Sequence, residues 1–169
     1  MSTDTPLRIA AATATDTPII LRMIKGLAEY ERLSDCVTAT EDALRDHLFG
    51  ATAAAEVCLA FVGDEPVGFA AYHGTFSTFA GRPGIYLEDL YVEPQWRGRG
   101  FGRRLLEHVA RAGAARGCRT MSWAVLPWNQ HAIDFYRRIG AEKVTDWDTF
   151  RLAGKAFNDL ASGRDQRSG

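Results

Sequence analysis

Apolar positions in this chain change period several times, and each change marks an element. Leu7, Ile9 and Ala11 alternate, the two-residue period of a half-buried strand. Ile20, Met23, Ile24 and Leu27 then fall on one helical face. Asp16 stands where it can cap that helix, and Pro18 lies in its first turn, where a missing N–H costs nothing. Thr38 and Glu41 have capping-box spacing ahead of a shorter helix bearing Leu44 and Leu48, which Gly50 ends. Residues 57–62 and 67–72 are apolar runs separated by Gly63, Asp64, Glu65 and Pro66, a hairpin signal. Residues 75–84 read as a loop carrying two aromatics, Phe76 and Phe79, and residues 85–92 as a buried strand that Pro94 ends.

The run Arg97-Gly98-Arg99-Gly100-Phe101-Gly102 follows, and then an amphipathic helix with Leu105, Leu106 and Val109 on its core face and Gly117 past its end. Met121, Trp123 and Val125 alternate along another strand. Pro127-Trp128-Asn129 breaks it, and Asn129 can cap a helix containing Ile133, Phe135, Tyr136 and Ile139, stopped by Gly140. A last strand is expected in 149–152 and a short helix around 156–160. The order predicts one mixed sheet covered by helices, an α/β (α+β) class. One domain over residues 1–161 with a polar tail, 162–169, fits this order.

Length agrees, since 169 residues suit one core and not two. Twenty basic against 21 acidic residues give a net charge of −1, so the whole chain has no attraction to nucleic acid or an anionic membrane. Apolar stretches are interrupted well short of a membrane span, which predicts no membrane association. Cys36, Cys58 and Cys118 are too few and too widely spaced for a disulfide framework, which predicts a reduced, cytoplasmic chain. The four histidines are scattered, so no metal site is expected.

The glycine turn is the most informative segment. A helix start leaves N–H groups without partners and carries partial positive charge, and glycines let backbone amides close around an anion. Arg97, Arg99, Arg103 and Arg104 add positive charge there, so the segment reads as a cradle for a di- or polyphosphate. Gly102 is followed by Arg103 and not by Lys-Ser/Thr, which disfavours an NTPase loop, and Arg103 also stands where a dinucleotide fingerprint needs its third glycine.

Just upstream, Glu88 and Asp89 interrupt an apolar strand. Adjacent strand residues point to opposite faces, so at least one carboxylate must meet a cleft or a polar partner. Asp89 reads first as a structural carboxylate. Glu88, just upstream of the glycine turn, reads as a functional carboxylate. Tyr136 fits a core stripe with Ala132, Phe135 and Ile139, and a phenol is also a proton donor at neutral pH.

The spacing Arg-x-x-Gly-x-Gly at Arg97, Gly100 and Gly102 resembles the GCN5-related N-acetyltransferase (GNAT) superfamily. The likeness runs from Leu7 to Ala161 and is strongest to the diamine (spermidine/spermine) and thialysine N-acetyltransferases. It is carried by Ile24-Lys25-Gly26-Leu27-Ala28-Glu29-Tyr30-Glu31, Tyr86-Leu87-Glu88-Asp89, the glycine turn, Trp128-Asn129 and Phe135-Tyr136. The resemblance implies a mostly antiparallel sheet splayed at its centre. It implies acetyl-CoA as co-substrate, bound by Leu90 and Val92 along the strand, by Arg97, Gly98, Arg99, Gly100, Gly102 and Arg103 at the turn, and by Asn129. It implies catalysis by Glu88 and Tyr136, with direct attack of the amine on the thioester. Glu88, Asp89, Asp148 and Phe150 would line the amine site. A homodimer is the family's common assembly.

One stretch departs from the polyamine pattern. Ser77-Thr78-Phe79-Ala80-Gly81-Arg82 has no carboxylate and one added arginine, which disfavours a long polycation and favours a shorter or amino-acid-like amine. Arg82 could hold a substrate carboxylate, although an exposed loop arginine is its ordinary reading. Two rivals stand beside this expectation. One is an acetyltransferase for protein or peptide amines. The other is a nucleic-acid-binding module using Arg97, Arg99, Arg103, Arg104, Arg111 and Arg116 as a basic stripe.

Overall fold

A computed structural model of the chain describes residues 6–163. Its contacts divide the chain into two units, Met1–Leu126 and Pro127–Gly169. The first holds a five-stranded sheet in the order β1-β2-β3-β4-β5. The strands are β1 (Leu7–Ala11), β2 (Glu56–Val62), β3 (Glu65–Ser77), β4 (Arg82–Val92) and β5 (Met121–Trp123). All neighbours are antiparallel except β4 and β5, which are parallel. The helices of this unit are α1 (Thr17–Glu31), α2 (Glu41–Phe49) and α3 (Phe101–Ala115). The second unit contains α4 (Gln130–Arg138) and α5 (Gly154–Ala161).

Helices α1 and α3 pack on opposite faces of the sheet. The adjacent residues Tyr91 and Val92 show it, because a Cβ added at Gly26 of α1 would strike the Tyr91 hydroxyl, and one at Gly102 of α3 would meet Val92. On the α1 face the core joins Ile20 and Met23 to Val57, Leu59, Phe69 and Tyr91. On the α3 face Leu105, Leu106 and Val109 are buried, and Ile85 presses against Gly113.

Several sequence expectations need correction. Residues 75–84 are mostly strand, since β3 and β4 pair out to Ser77 and Arg82 and only the tip turns. Gly84 looks like punctuation but serves close packing: a Cβ there would come within 2.8 Å of both Thr75 and Thr120 hydroxyls. Thr40, not Thr38, caps α2, its Oγ1 accepting from the Ala43 N–H at 3.2 Å. The Asp16 carboxylate accepts from the Thr13 N–H and hydroxyl, so it holds the short turn before α1 and not the first amides of α1. Strand β5 stops at Trp123, before Val125, and Cys118 is half-buried in the turn ahead of it. No strand forms at 149–152 among the described residues. Of the expected tail, only Ser162 and Gly163 lie within them.

No helix among the described residues is long and apolar enough to cross a membrane. Cys58 lies in the core, where burial pushes its thiol up to about 11.

Candidate active site

Strand β4 changes character at Glu88. From Ile85 to Leu87 it is paired on both sides, to Gly74, His73 and Tyr72 of β3 and to Met121, Ser122 and Trp123 of β5. Beyond Leu87 no strand among the described residues continues on the β5 side. This is the splay of the sheet.

A bulge sits at the same point. Ala71 pairs with Asp89 and Tyr72 with Leu87, so Glu88 is the extra residue. The bulge cancels the alternation that would send Glu88 and Asp89 to opposite faces. Tyr86 stacks near His73 at 5.4 Å, and His73 Nε2 lies 3.6 Å from Glu88 Oε1. Asp89 pairs with Ala71 and Tyr91 with Phe69, residues of the α1-side core. Both carboxylates therefore stand on the α1 face, where alternation alone predicts only one.

Their surroundings differ. Glu88 is exposed beside His73. Asp89 is more deeply set, and burial, followed by repulsion from Glu88 and Glu31, pushes its carboxyl up to about 6. Burial also raises Glu31 on α1.

The bulge also sets the backbone downstream. The Glu93 N–H donates to the Val67 carbonyl at 2.9 Å, which marks that pair, and by alternation Phe69 with Tyr91, as hydrogen-bonded. Leu90 and Val92 are then in the non-bonded pairs, and their own N–H and C=O groups point away from β3, toward the splayed edge. An extended ligand can add to such an edge as a strand does.

Strand β4 runs through a short turn, Pro94–Trp96, into the glycine segment. Gly98 (φ +74°) and Gly100 (φ +79°) are both left-handed, and a Cβ at either would meet nothing within 4 Å. Gly100 caps α3 with no side chain, so the amides of Phe101, Gly102 and Arg103 open the helix without intrahelical acceptors. Trp96 braces the turn by stacking on Phe101 at 6.0 Å and donating from Nε1 to Glu65 at 3.1 Å.

The arginines are less available than their sequence spacing suggests. Arg97 Nε donates to the Val92 carbonyl at 2.9 Å, and its guanidinium covers the rings of Tyr30 (4.7 Å) and Tyr91 (5.6 Å). Arg99 lies over Trp96 at 4.7 Å, Arg103 pairs with Glu107 at 3.0 Å, and Arg116 pairs with Glu56. Arg82 heads β4, about 20 Å along the strand from Glu88, too far to share its ligand within one chain.

A cleft of about 660 Å³ also opens between α1 and the end of β4, lined by Arg22, Lys25, Glu29, Tyr91 and Glu93. Glu88 is not among its lining residues. No cluster of three potential metal ligands occurs among the described residues.

In the second unit Asn129 caps α4, its Oδ1 accepting from the Ala132 N–H at 3.2 Å. Tyr136 follows two turns later, half-buried, with its ring 5.3 Å from that of Phe135. Asp148 and Phe150 fall in an irregular stretch that also carries Val144 and Trp147, and Phe150 is 93% exposed.

Sequence reasoning missed His73, Glu31 and the aromatic shelf under Arg97. His73 pairs with Tyr86 in the long hairpin, a register that the sequence does not announce. Reading 75–84 as a loop concealed it.

A central strand with an open edge that feeds a glycine turn and a helix start sets a strand-addition edge beside an anion cradle. The chain belongs to the Acetyltransferase (GNAT) family, whose description matches residues 24–141. It is 40% identical over 164 residues to the thialysine N-epsilon-acetyltransferase of Bos taurus, covering 90% of this chain and 96% of that one. It is 28% identical to the L-ornithine N5-acetyltransferase NATA1 of Arabidopsis thaliana, over 90% of this chain and 87% of that one. An integron cassette protein from the mobile metagenome of V. cholerae shares the fold with a TM-score of 0.77 at 26% identity, over 92% and 97% of the two chains. The chain is thus an N-acetyltransferase.

Proposed function

We propose that this enzyme transfers an acetyl group from acetyl-CoA to the primary side-chain amine of a small amino-acid-like substrate, of the class of lysine, thialysine or ornithine. The observation that carries the reading is the unpaired edge of β4 from Glu88 to Val92, which leads directly into the Gly98 and Gly100 turn. The names of the thialysine and ornithine relatives support an amino-acid amine. The lack of a carboxylate in the 77–82 hairpin tip supports it against a long polycation.

The residues divide the work. Amides from Gly98 to Arg103 offer donors and helix-start charge to a pyrophosphate. Leu90 and Val92 offer edge groups to the pantetheine amides, with the Val92 carbonyl shared with Arg97. Arg97 braces this wall, and Arg99 and Arg103 add positive charge. Asn129 holds the start of α4, where it can also touch the cofactor.

Acetyl-CoA supplies the activated thioester. Glu88 receives the substrate ammonium and draws off its proton, and the freed lone pair attacks the carbonyl carbon. Tyr136 donates its phenolic proton to the departing sulfur, and the second N–H proton, shed as the amide forms, restores the phenol through solvent. Asp89 adds negative potential beside Glu88, and Asp148 and Phe150 belong to the amine channel. A homodimer in the cytoplasm completes this reading.

The test is release of coenzyme A thiol from acetyl-CoA in the presence of lysine, thialysine, ornithine, putrescine, spermidine and short peptides. The amino acids should give the highest kcat/KM. A preference for peptides or spermidine would overturn the substrate class. Tyr136→Phe should lower kcat about 100-fold with little change in the KM for acetyl-CoA. An unchanged kcat would remove Tyr136 from the acid role.

A further inference from the structure

His73 stands outside every role given to the site. It lies on β3, on the α1 face of the sheet, across from Tyr86 and beside the bulged Glu88. Its ring is held on two sides. It packs against the Tyr86 ring at 5.4 Å with a tilt of 31°, and its Nδ1 lies 3.2 Å from the Gly74 carbonyl.

A carbonyl oxygen only accepts, so Nδ1 carries the hydrogen. In the neutral ring Nε2 is then the lone-pair nitrogen, and it faces Glu88 Oε1 at 3.6 Å. A lone pair facing a carboxylate is a gap built for one proton. The charged group that faces it is Glu88 on β4, and Glu88 and Glu31 of α1 are in turn the charges that act on Asp89. Glu56 of β2 is turned to Arg116 and Tyr72 and takes no part.

We propose that His73 holds the proton that Glu88 takes from the substrate amine, as a positioning residue that acts through Glu88. This rests on the role proposed for Glu88 in amine deprotonation. The ammonium N–H bond breaks and its proton passes to Glu88 Oε1, and that same proton then leaves Oε1 for His73 Nε2. The products are a neutral amine, a Glu88 carboxylate and a His73 imidazolium, with Nδ1–H on Gly74 and Nε2–H on Glu88. No electrons are exchanged with any other group. Both side chains reach solvent, which receives the proton after turnover.

The chemical reason is a match of basicities. An imidazole is a stronger base than a carboxylate, so a proton drawn from an ammonium rests better on the ring. The contact of 3.6 Å needs only a small side-chain rotation to become a hydrogen bond, and such contacts tighten when substrate binds.

The experiment measures kcat/KM for thialysine against pH in wild type, His73→Phe, His73→Gln, Glu88→Gln and the double variant His73→Phe/Glu88→Gln. His73→Phe keeps a ring over Tyr86, and His73→Gln keeps a hydrogen-bond donor. Both should lose about 100-fold at pH 7, with the KM for acetyl-CoA within about twofold of wild type. The acid side of their pH–rate profile should change shape, which a merely structural loss would not do. The double variant should be no slower than Glu88→Gln, because the two residues act as one unit.

A wild-type rate and acid limb in His73→Phe, beside an impaired Glu88→Gln, would overturn the role of His73 alone. A wild-type profile in Glu88→Gln as well would overturn the role of Glu88 too. Full activity in His73→Gln would show that a hydrogen bond suffices and would also overturn the proposal. If His73→Phe fails to fold by circular dichroism, His73→Gln decides the question by the same profile.

Discussion

The two halves of β4 share one strand, yet their surroundings are opposite. Ile85-Tyr86-Leu87 has strands on both sides, and Ile85 and Leu87 are nearly fully buried. Glu88-Asp89-Leu90-Tyr91-Val92 has β3 on one side only, and it holds two carboxylates and outward-facing backbone groups. The boundary is a one-residue bulge. The bulge turns Glu88 and Asp89 to the same face, and it also points Leu90 and Val92 at the open edge. An open, acidic edge is thus made from a core strand by removing one neighbour and adding one residue.

One substitution in each half tests the contrast directly. Leu87→Ala should cost about 3 kcal/mol in urea unfolding, because Leu87 is 2% exposed and its cavity cannot fill with water. Leu90→Ala, half-buried at the open edge, should cost less than about 1.5 kcal/mol. Equal losses would show that the second half is as closed as the first.

Gly100→Ala extends the contrast past the end of the strand. The φ of +79° makes any side chain there cost about 1 kcal/mol of stability. If the turn holds pyrophosphate, the KM for acetyl-CoA should rise about 10-fold with kcat little changed. An unaltered KM would separate the turn from the cofactor.

Asp89 gives the smallest effect and a clear sign. Its carboxyl titrates at about 6 in the folded chain, above the ordinary value of 3.8, so the folded state binds the proton more tightly. Stability should therefore fall as pH rises through this window and level off above about 6. Asp89→Asn should flatten that fall and add on the order of 1 kcal/mol at pH 7 after solvent screening. Urea midpoints between pH 4 and 7 measure both. A wild-type slope of the opposite sign would remove Asp89 as its source.

Much of the site is legible in the amino-acid sequence. The glycine turn announces itself because its chemistry is local: left-handed glycines and a helix start need only neighbours in sequence. Asn129 as a cap and Gly140 as a stop are local for the same reason. The bulge is not legible there, since it exists only in the pairing of β4 with β3. The same is true of the long hairpin, where Pro83 and Gly84 look like a turn but pair with Phe76 and Thr75. Residues 149–152 have strand composition, and strand propensity without a paired neighbour does not make a strand.

The class of sheet, most helices and their ends, the glycine turn and the pair of acids upstream of it are all written in the order of residues. They follow from periodicity, capping and glycine, which act within a few positions of one another. Which acid is buried, which faces His73, and which backbone groups of β4 look outward are settled only when the chain folds. Those depend on register, and register is set by contacts between residues far apart in the chain.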